Sequence, residues 1–318
     1  MENLETKAVR IVRYTSELKN LWDQFVCESK NGTFMLQRDY MDYHSDRFID
    51  SSLIVYEGNS VVALLPASLH NDQLRSHGGL TYGGLVVNRK MTAQLNLLVF
   101  ESIINYLNEV EIKSLLYKRV PAIYYNYPSD EDLYSLFRIG ATLVRRDIST
   151  AVYLPYKIRF SERRRRNVKK AIKSNLTFSE TNDFKTYIDL LADVLKKHDT
   201  KPVHTAEEIE KLAHSFPEVI KLYAAFDGNE MMAGTLLFVT PDVVHAQYIA
   251  NSERGKNIGA LDFVFDKLIN EVYAEKKYFD FGISTEDDGK YLNEGLVGQK
   301  QEFGGRGITY DHYLINID

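Results

Sequence analysis

The chain has 318 residues, 44% hydrophobic and 26% charged, with a formal net charge of −5 and one cysteine. That length admits two ordinary cores, and the composition is that of a globular protein. The acidic balance excludes a global attraction to nucleic acid or to an anionic membrane, and a single cysteine excludes an internal disulfide or a cysteine-rich zinc site. No run approaches the roughly 18–20 continuous apolar residues of a membrane span. The first ten residues carry no apolar signal core. A reducing, cytoplasmic location is the expectation.

In chain order, Val9–Arg13 reads as an edge strand. Ser16 is placed to cap a helix bearing Leu18, Leu21, Trp22, Phe25 and Val26. Cys27 falls in this pattern, which predicts a packed thiol. Ser52–Tyr56 and Ser60–Ser68 read as two strands around Glu57-Gly58-Asn59. The run HGGLTYGGLVV holds two Gly-Gly pairs, as a bulged strand or a backbone in close approach would. Thr92 caps a helix with Leu95, Val99, Ile103 and Leu107 on one side. Ser114–Tyr117 is a further strand, and Leu133–Gly140 and Ser149–Leu154 complete this half.

The second half opens with the basic run FSERRRRNVKKAIK. A helix from Ser161 puts Arg163, Arg166 and Lys170 on one face, with Arg164 and Ala171 near another. Asn182 or Asp183 starts the next helix, and Thr205-Ala-Glu-Glu208 is a capping box. Asp227-Gly228-Asn229 between apolar runs signals a hairpin. A third strand follows, in which His245 alternates with Gln247. The helical pattern after Asn251–Gly255 carries Ile258, Leu261, Phe265, Leu268 and Val272 on one face. YFDFGIS is a strand, and Tyr291–Gly305 is a glycine-rich segment holding Lys300.

The two halves run in parallel. Tyr56–Asn59 answers Phe226–Asn229, the helix from Thr92 answers that from Asn257, and Ser114–Tyr117 answers Tyr278–Phe281. Phe137–Ala141 answers Gln301–Gly305, and the offset stays at about 165–170 residues throughout, the mark of a repeated unit. The reading is an α/β chain of two tandem units, 1–155 and 156–318, each a mixed, mostly antiparallel sheet flanked by helices.

Chemistry-bearing residues gather in the second unit. Arg163, Arg166, Asn167 and Lys170 form a basic stretch suited to phosphates or carboxylates. Asp280 and Ser284 lie at the C-terminal end of a strand, where ligands of open α/β sheets collect. Lys300 stands among Gly295, Gly298, Gly304 and Gly305, where backbone can bend close to a ligand. It would supply a fixed positive charge. Tyr291 is a candidate acid for a departing thiolate, and Glu294, Glu302 and His245 are candidate bases. His198, His204 and His214 show no ligand spacing, so no metal is expected. No Walker loop, nucleophile elbow or dinucleotide fingerprint occurs.

The order hairpin, strand, helix, strand in Lys221–Gly305 resembles the acyl-CoA-dependent N-acyltransferase (GNAT) superfamily. Leu296, Lys300, Phe303, Gly304 and Gly305 resemble the ending of its FemAB-like and cellulose-biosynthesis-type acetyltransferase branch. Arg165–Ala171 resembles the Arg-x-Asn-Ile/Val-x-Lys/Arg-Ala segment of FemABX-type aminoacyl transferases. The resemblance implies acyl or aminoacyl transfer to an amine, with the acyl-CoA arm pairing along Gln247, Tyr248 and Ile249. It also implies a pyrophosphate at Arg254, Gly255, Asn257 and Gly259. This last loop departs from the superfamily's Gln/Arg-x-x-Gly-x-Gly/Ala. The first unit has Leu136 where Lys300 falls, so the second is expected to carry the donor site and the first to form cleft wall.

Three functions follow from this resemblance. One is an acetyl-CoA-dependent N-acyltransferase acting on a small-molecule or cell-envelope-precursor amine. Another is an aminoacyl-tRNA-dependent transferase, and a third is a ligand-binding protein of the same fold without turnover. DNA is not expected as a partner.

Overall fold

The computed structural model describes residues 8–196 and 200–317, so His198 lies outside the described residues. The chain divides into two units. One holds Met1–Asp147, Asp288–Lys290 and Thr309–Asp318; the other holds Ile148–Asp287 and Tyr291–Ile308. Among the described residues no helix is long and apolar enough to cross a membrane.

In the first unit, β1 (Val9–Arg13) pairs antiparallel with β2 (Leu53–Glu57), which turns into β3 (Ser60–Leu65). Gly58 makes the turn at φ +59°, a conformation glycine adopts without a Cβ penalty. Ser16 opens a short 3-10 turn, and α1 (Lys19–Glu28) follows it. Trp22 and Val26, one helical turn apart, are the buried residues of α1. Cys27 lies about 100° further round the helix from Val26 and is exposed, accepting from Gln37 Nε2 at 3.1 Å. The expectation of a packed thiol fails for that reason.

The double-glycine run is a loop after β4 (Gln73–Arg75). A Cβ at Gly83 would meet the carbonyl of Ser76, so the close-approach reading of the run is the one observed. Then come α2 (Ala93–Glu109), capped by Thr92 Oγ1 on Leu95 N at 3.2 Å, β5 (Ser114–Lys118) and α3 (Glu131–Arg138). β5 runs parallel to β4 and antiparallel to the end of the last strand, His312–Asn316. Val99, Phe100, Ile103 and Leu107 of α2 close this core against Leu115, Tyr117 and Ile315. Each such burial contributes about 1.5–3 kcal/mol.

The second unit takes its first strand from the end of β6 (Thr142–Tyr153). α4 (Glu162–Lys173) is capped by Ser161, and β7 (Thr177–Glu180) is the edge strand. α5 (Phe184–Leu195) is capped by Asp183, and α6 (Ala206–Ser215) opens with the Thr205–Glu208 capping box. β8 (Ile220–Asp227), β9 (Glu230–Val239) and β10 (Val243–Asn251) form an antiparallel meander. β11 (Tyr278–Ile283) lies parallel to β10 and antiparallel to β6. The helix expected from Asn257 begins earlier, at Glu253, and is broken. α7 (Glu253–Ile258) and α8 (Ala260–Lys267) meet at Gly259, φ +78°, and a π turn, Leu268–Val272, follows. The glycine-rich segment with Lys300 is α9 (Glu294–Gln301), and β12 (Arg306–Asn316) ends the chain.

The repeat extends to the irregularities. Both hairpins turn at a positive-φ glycine, Gly58 and Gly228. Both carry a bulge at the same step, after Val55/Ala63 and after Ala225/Ala233. A bulge is a specific backbone event, so its recurrence is a stronger sign of one repeated unit than the shared element order.

Candidate active site

The site of the second unit starts where two strands part. β10 and β11 pair in parallel at Val243–Tyr278, Val244–Phe279 and His245–Asp280, and no further pair is formed among the described residues. β10 runs on from Ala246 to Asn251, still paired with β9 on its other side. Gln247 is the extra residue of a bulge there, since Leu236 pairs with Tyr248 and Leu237 with Ala246. β11 turns away at Gly282, φ +77°. The result is a fork with an open strand edge on one arm.

His245 and Asp280 sit at the fork. Asp280 is fully buried. Its Oδ2 lies 2.9 Å from His245 Nδ1, and its Oδ1 accepts from Ser149 Oγ at 2.5 Å and from Gly282 N at 3.1 Å. Ser149 and Gly282 thus fix the carboxylate, and the carboxylate fixes the imidazole. Donation from Nδ1–H leaves Nε2 as an acceptor, the tautomer of a general base. Gly282 keeps the near side open: a Cβ there would stand 3.5 Å from His245 Cε1.

Lys300 reaches the fork from the last turn of α9. Its Nζ donates to the carbonyls of Gly282 at 2.9 Å and Ile283 at 2.7 Å. Burial lowers its pKa to about 8, against the pull of Asp280. Two of its three donors therefore hold the strand end. Ser284, next along the chain, is buried, and its Oγ has no hydrogen-bond partner among the described residues. Buried hydroxyls are usually paired, so this one, next to the Ile283 carbonyl that Lys300 holds, stands out as an unsatisfied polar atom.

Arg164 secures α9. Its guanidinium donates to Asp262 Oδ1 at 3.1 Å and to the carbonyl of Gln299 at 3.2 Å, and lies 4.4 Å from the Phe303 ring centre. Burial raises the Asp262 carboxyl, with Arg164 opposing. Arg164 shares a face with Val168 and Ala171, the buried residues of α4. That i, i+4, i+7 spacing was the available sign of its buried role. Ser149 gave no sign in its strand.

The other expected residues are dispersed. Tyr291 and Glu294 are exposed, on a two-residue strand and in the first turn of α9. Tyr248 OH lies 2.5 Å from His204 Nδ1, and Gln247 bonds its hydroxyl too. Ile249 packs on the core. Arg254 pairs with Asp227 and, at 2.7 Å, with Glu230. Gly255 N donates to Ser252 Oγ at 2.9 Å, and a Cβ at Gly255 would meet the Met232 carbonyl. Gly259 abuts the carbonyl of Asn167, whose side chain bonds Asp262. Asn257, Arg166 and Lys170 are exposed, and Arg163 pairs with Glu302. No group of residues able to hold a metal occurs among the described residues.

Comparison with known proteins matches residues 159–291 to an acetyltransferase (GNAT) domain family. No curated protein sequence matches the chain. Among solved structures, FemX superposes with a TM-score of 0.67 at 12% identity, covering 95% of this chain and 96% of that one. The C-terminal domain of a lysylphosphatidylglycerol synthetase from Agrobacterium fabrum gives 0.63 at 12% identity, covering 95% and 92%. A tandem GNAT protein from the clavulanic acid biosynthesis pathway gives 0.52 at 9% identity, covering 98% and 99%. These likenesses carry the fold, two tandem GNAT-like units. The matched segment contains His245, Asp280 and the strand fork between them. Residues 159–291 are thus similar to an acetyltransferase (GNAT) domain family, and the fold of two tandem GNAT-like units is the one shared with FemX.

Proposed function

We propose that the second unit transfers an acyl group to an amine, with His245 as general base. The observation that carries this is the end of strand pairing at His245–Asp280, which puts an oriented imidazole at the base of an open strand edge. His245 Nε2 takes the proton of the amine as its nitrogen attacks the acyl carbonyl. The C–N bond forms, the bond to the donor breaks, and the leaving group (the CoA thiolate for an acyl-CoA) takes up a proton from the imidazolium or solvent. Asp280 holds the ring in the competent tautomer and stabilises the imidazolium that forms. Lys300 fixes the Gly282–Ile283 carbonyls and adds positive charge to the fork.

The donor favoured is an acyl-CoA, acetyl-CoA first, which supplies an activated thioester carbonyl. The free edge of Ala246–Asn251 offers main-chain groups to an extended arm. For the anionic end, the loop's own groups are partly engaged, Arg254 by two carboxylates and Gly255 N by Ser252. Cations come instead from α4. Lys170 is exposed one turn on from Asn167, whose carbonyl abuts Gly259 of that loop, and Arg166 is exposed one turn before Lys170. The acceptor is a small-molecule or cell-envelope-precursor amine.

The basic run also favours a second donor. Arg163, Arg166, Lys169, Lys170 and Lys173 are exposed, more cation than one pyrophosphate needs. FemX and the lysylphosphatidylglycerol synthetase share the fold, which fits an aminoacyl-tRNA donor.

The test is amide formation from radiolabelled acetyl-CoA and from charged tRNA over a panel of amines, with His245→Gln as control. Turnover with acetyl-CoA, lost in the variant, supports the first reading, and turnover only with charged tRNA supports the second. Saturable binding of either donor without turnover would make the chain a binding protein and overturn the catalytic reading.

A further inference from the structure

The buried cations differ in one respect. Lys30 pairs with Glu131 at 2.5 Å, Arg38 with Asp42 and Asp50, and Arg164 with Asp262 at 3.1 Å. Lys300 feels the charge of Asp280. Lys118, at the end of β5 in the first unit, is 8% exposed and has no carboxylate partner among the described residues. Its Nζ donates to the Leu80 carbonyl, and the charges acting on it are the cations Arg145 and Arg75. A buried ammonium without a counter-charge is expensive to keep, and burial with these cations lowers this one to about 7.

The neighbours complete the picture. His312 is the cross-strand partner of Lys118, and Arg75 lies on β4, which pairs with β5 on the other side. Burial, then Lys118 and Arg145, lower the His312 imidazole to about 4, against the pull of Asp147 and Asp288. Arg145 is neutralised by Asp147 at 2.6 Å and Asp288 at 2.8 Å, whereas Arg75 Nε bonds the uncharged Gln73 Oε1. The strand end is rigidly built. Lys118 N donates to Ser76 Oγ at 2.7 Å, and Gly83 N donates to the Lys118 carbonyl at 2.9 Å. Three basic side chains on adjacent strands thus converge; the nearby acids Asp147 and Asp288 are held by Arg145, and among the described residues none is paired with Lys118 or Arg75.

We propose that the end of β5 in the first unit is an anion-binding site, in which Lys118, His312 and Arg75 hold a carboxylate or phosphate group of a small ligand. A bound anion supplies the missing charge, keeps Lys118 an ammonium and favours a protonated His312, giving charge-assisted hydrogen bonds. The site is independent of the transfer reaction assigned to the second unit.

The test uses the full chain at pH 7 and constant ionic strength, with chloride as the balancing anion. Melting temperature and titration calorimetry are followed against inorganic phosphate and, separately, succinate. A saturable rise with at least one of them is expected, lost in Lys118→Met, about tenfold weaker in Arg75→Gln and unchanged in Lys300→Met. The effective anion identifies the ligand chemistry. Absence of a saturable rise with both anions would overturn the proposal, as would an equal rise in Lys118→Met. Should Lys118→Met fail to fold, Arg75→Gln decides, and an unchanged affinity there would overturn it. The His312 Cε1–H resonance gives a second readout: its titration must move to higher pH when the anion binds.

Discussion

The two units share a hairpin, its positive-φ glycine and its bulge, yet the fork with a histidine bonded to a buried carboxylate and a lysine on the strand end belongs to the second. On the repeat alignment, Leu116 stands where Asp280 does and Leu136 where Lys300 does. The strand answering β10 is also cut short: Val86–Val87 pairs with Ala63 and Leu64 for two residues, whereas β10 runs for nine. Without a long third strand there is no edge to leave open beyond a fork. On the function proposed above, the shared frame sets where a site forms, and a few positions at strand ends set its chemistry.

The sharpest way to break this contrast is to erase the base. His245→Gln keeps the size and polarity of the side chain but cannot accept a proton at neutral pH. Amide formation is expected to fall about 10²–10⁴-fold, the usual worth of general base catalysis. Asp280→Asn should approach the same loss, because the amide cannot both accept from Ser149 and hold the His245 tautomer. Melting curves on the same samples separate catalysis from folding. Activity within twofold of wild type in His245→Gln would remove the imidazole from the mechanism.

Backbone strain gives the next effect. Gly259 has φ +78°, and a Cβ there would strike the Asn167 carbonyl. Gly140 in the first unit has φ +72° and open space around it. Both alanine variants pay about 1–2 kcal/mol for the left-handed conformation. Gly259→Ala also pushes α4 from the loop, for about 2–4 kcal/mol in all. Urea titration of the two variants checks the ordering. A Gly140→Ala variant as destabilised as Gly259→Ala would show that packing against α4 adds nothing.

The same pairs of residues mark what could be read in the sequence. Apolar periodicity and capping residues were enough to place α2, α4 and α6, and the Gly58 and Gly228 turns. Ser149 could not be found this way, because it joins Asp280 across a span of 131 residues. The kink at Gly259 was hidden too. Its cause is the approach of Asn167, a tertiary contact that leaves the helical spacing of α7 and α8 intact. Arg164 was hidden by its company, since one buried arginine among exposed ones has no local mark except the apolar residues sharing its face. The assignment of Thr309–Asp318 to the first unit is likewise a matter of strand pairing, on which the local pattern of β12 is silent.

Two of the buried lysines, Lys118 and Lys300, separate the units by pH. Each is lowered from the ordinary 10.5, Lys118 to about 7 and Lys300 to about 8. The unfolded chain therefore binds more protons than the folded one between the two values of each lysine, and stability rises with pH across that window. Wild type should gain stability as pH climbs from about 7 towards 10. Lys118→Met should delete the part that begins near 7, and Lys300→Met the part that begins near 8. Chemical denaturation at half-unit pH steps measures both. A wild-type stability flat across this range would mean that neither ammonium is strained.

The smallest effects are expected at Tyr291 and Glu294. Both side chains are exposed, on a two-residue strand and in the first turn of α9. The cap of α9 is made by Asn293 Oδ1, which accepts from Leu296 N at 2.9 Å, so Glu294 contributes only its charge near a helix N-terminus. Tyr291→Phe and Glu294→Gln should each change stability by less than about 0.5 kcal/mol and leave the rate of amide formation within twofold. Asn293→Ala is the contrasting variant. It removes the cap of the helix that presents Lys300, at a cost of about 1 kcal/mol, and loosens the lysine from the Gly282 and Ile283 carbonyls. A tenfold fall in Glu294→Gln with Asn293→Ala near wild type would move the proton acceptor from the strand fork to the start of α9.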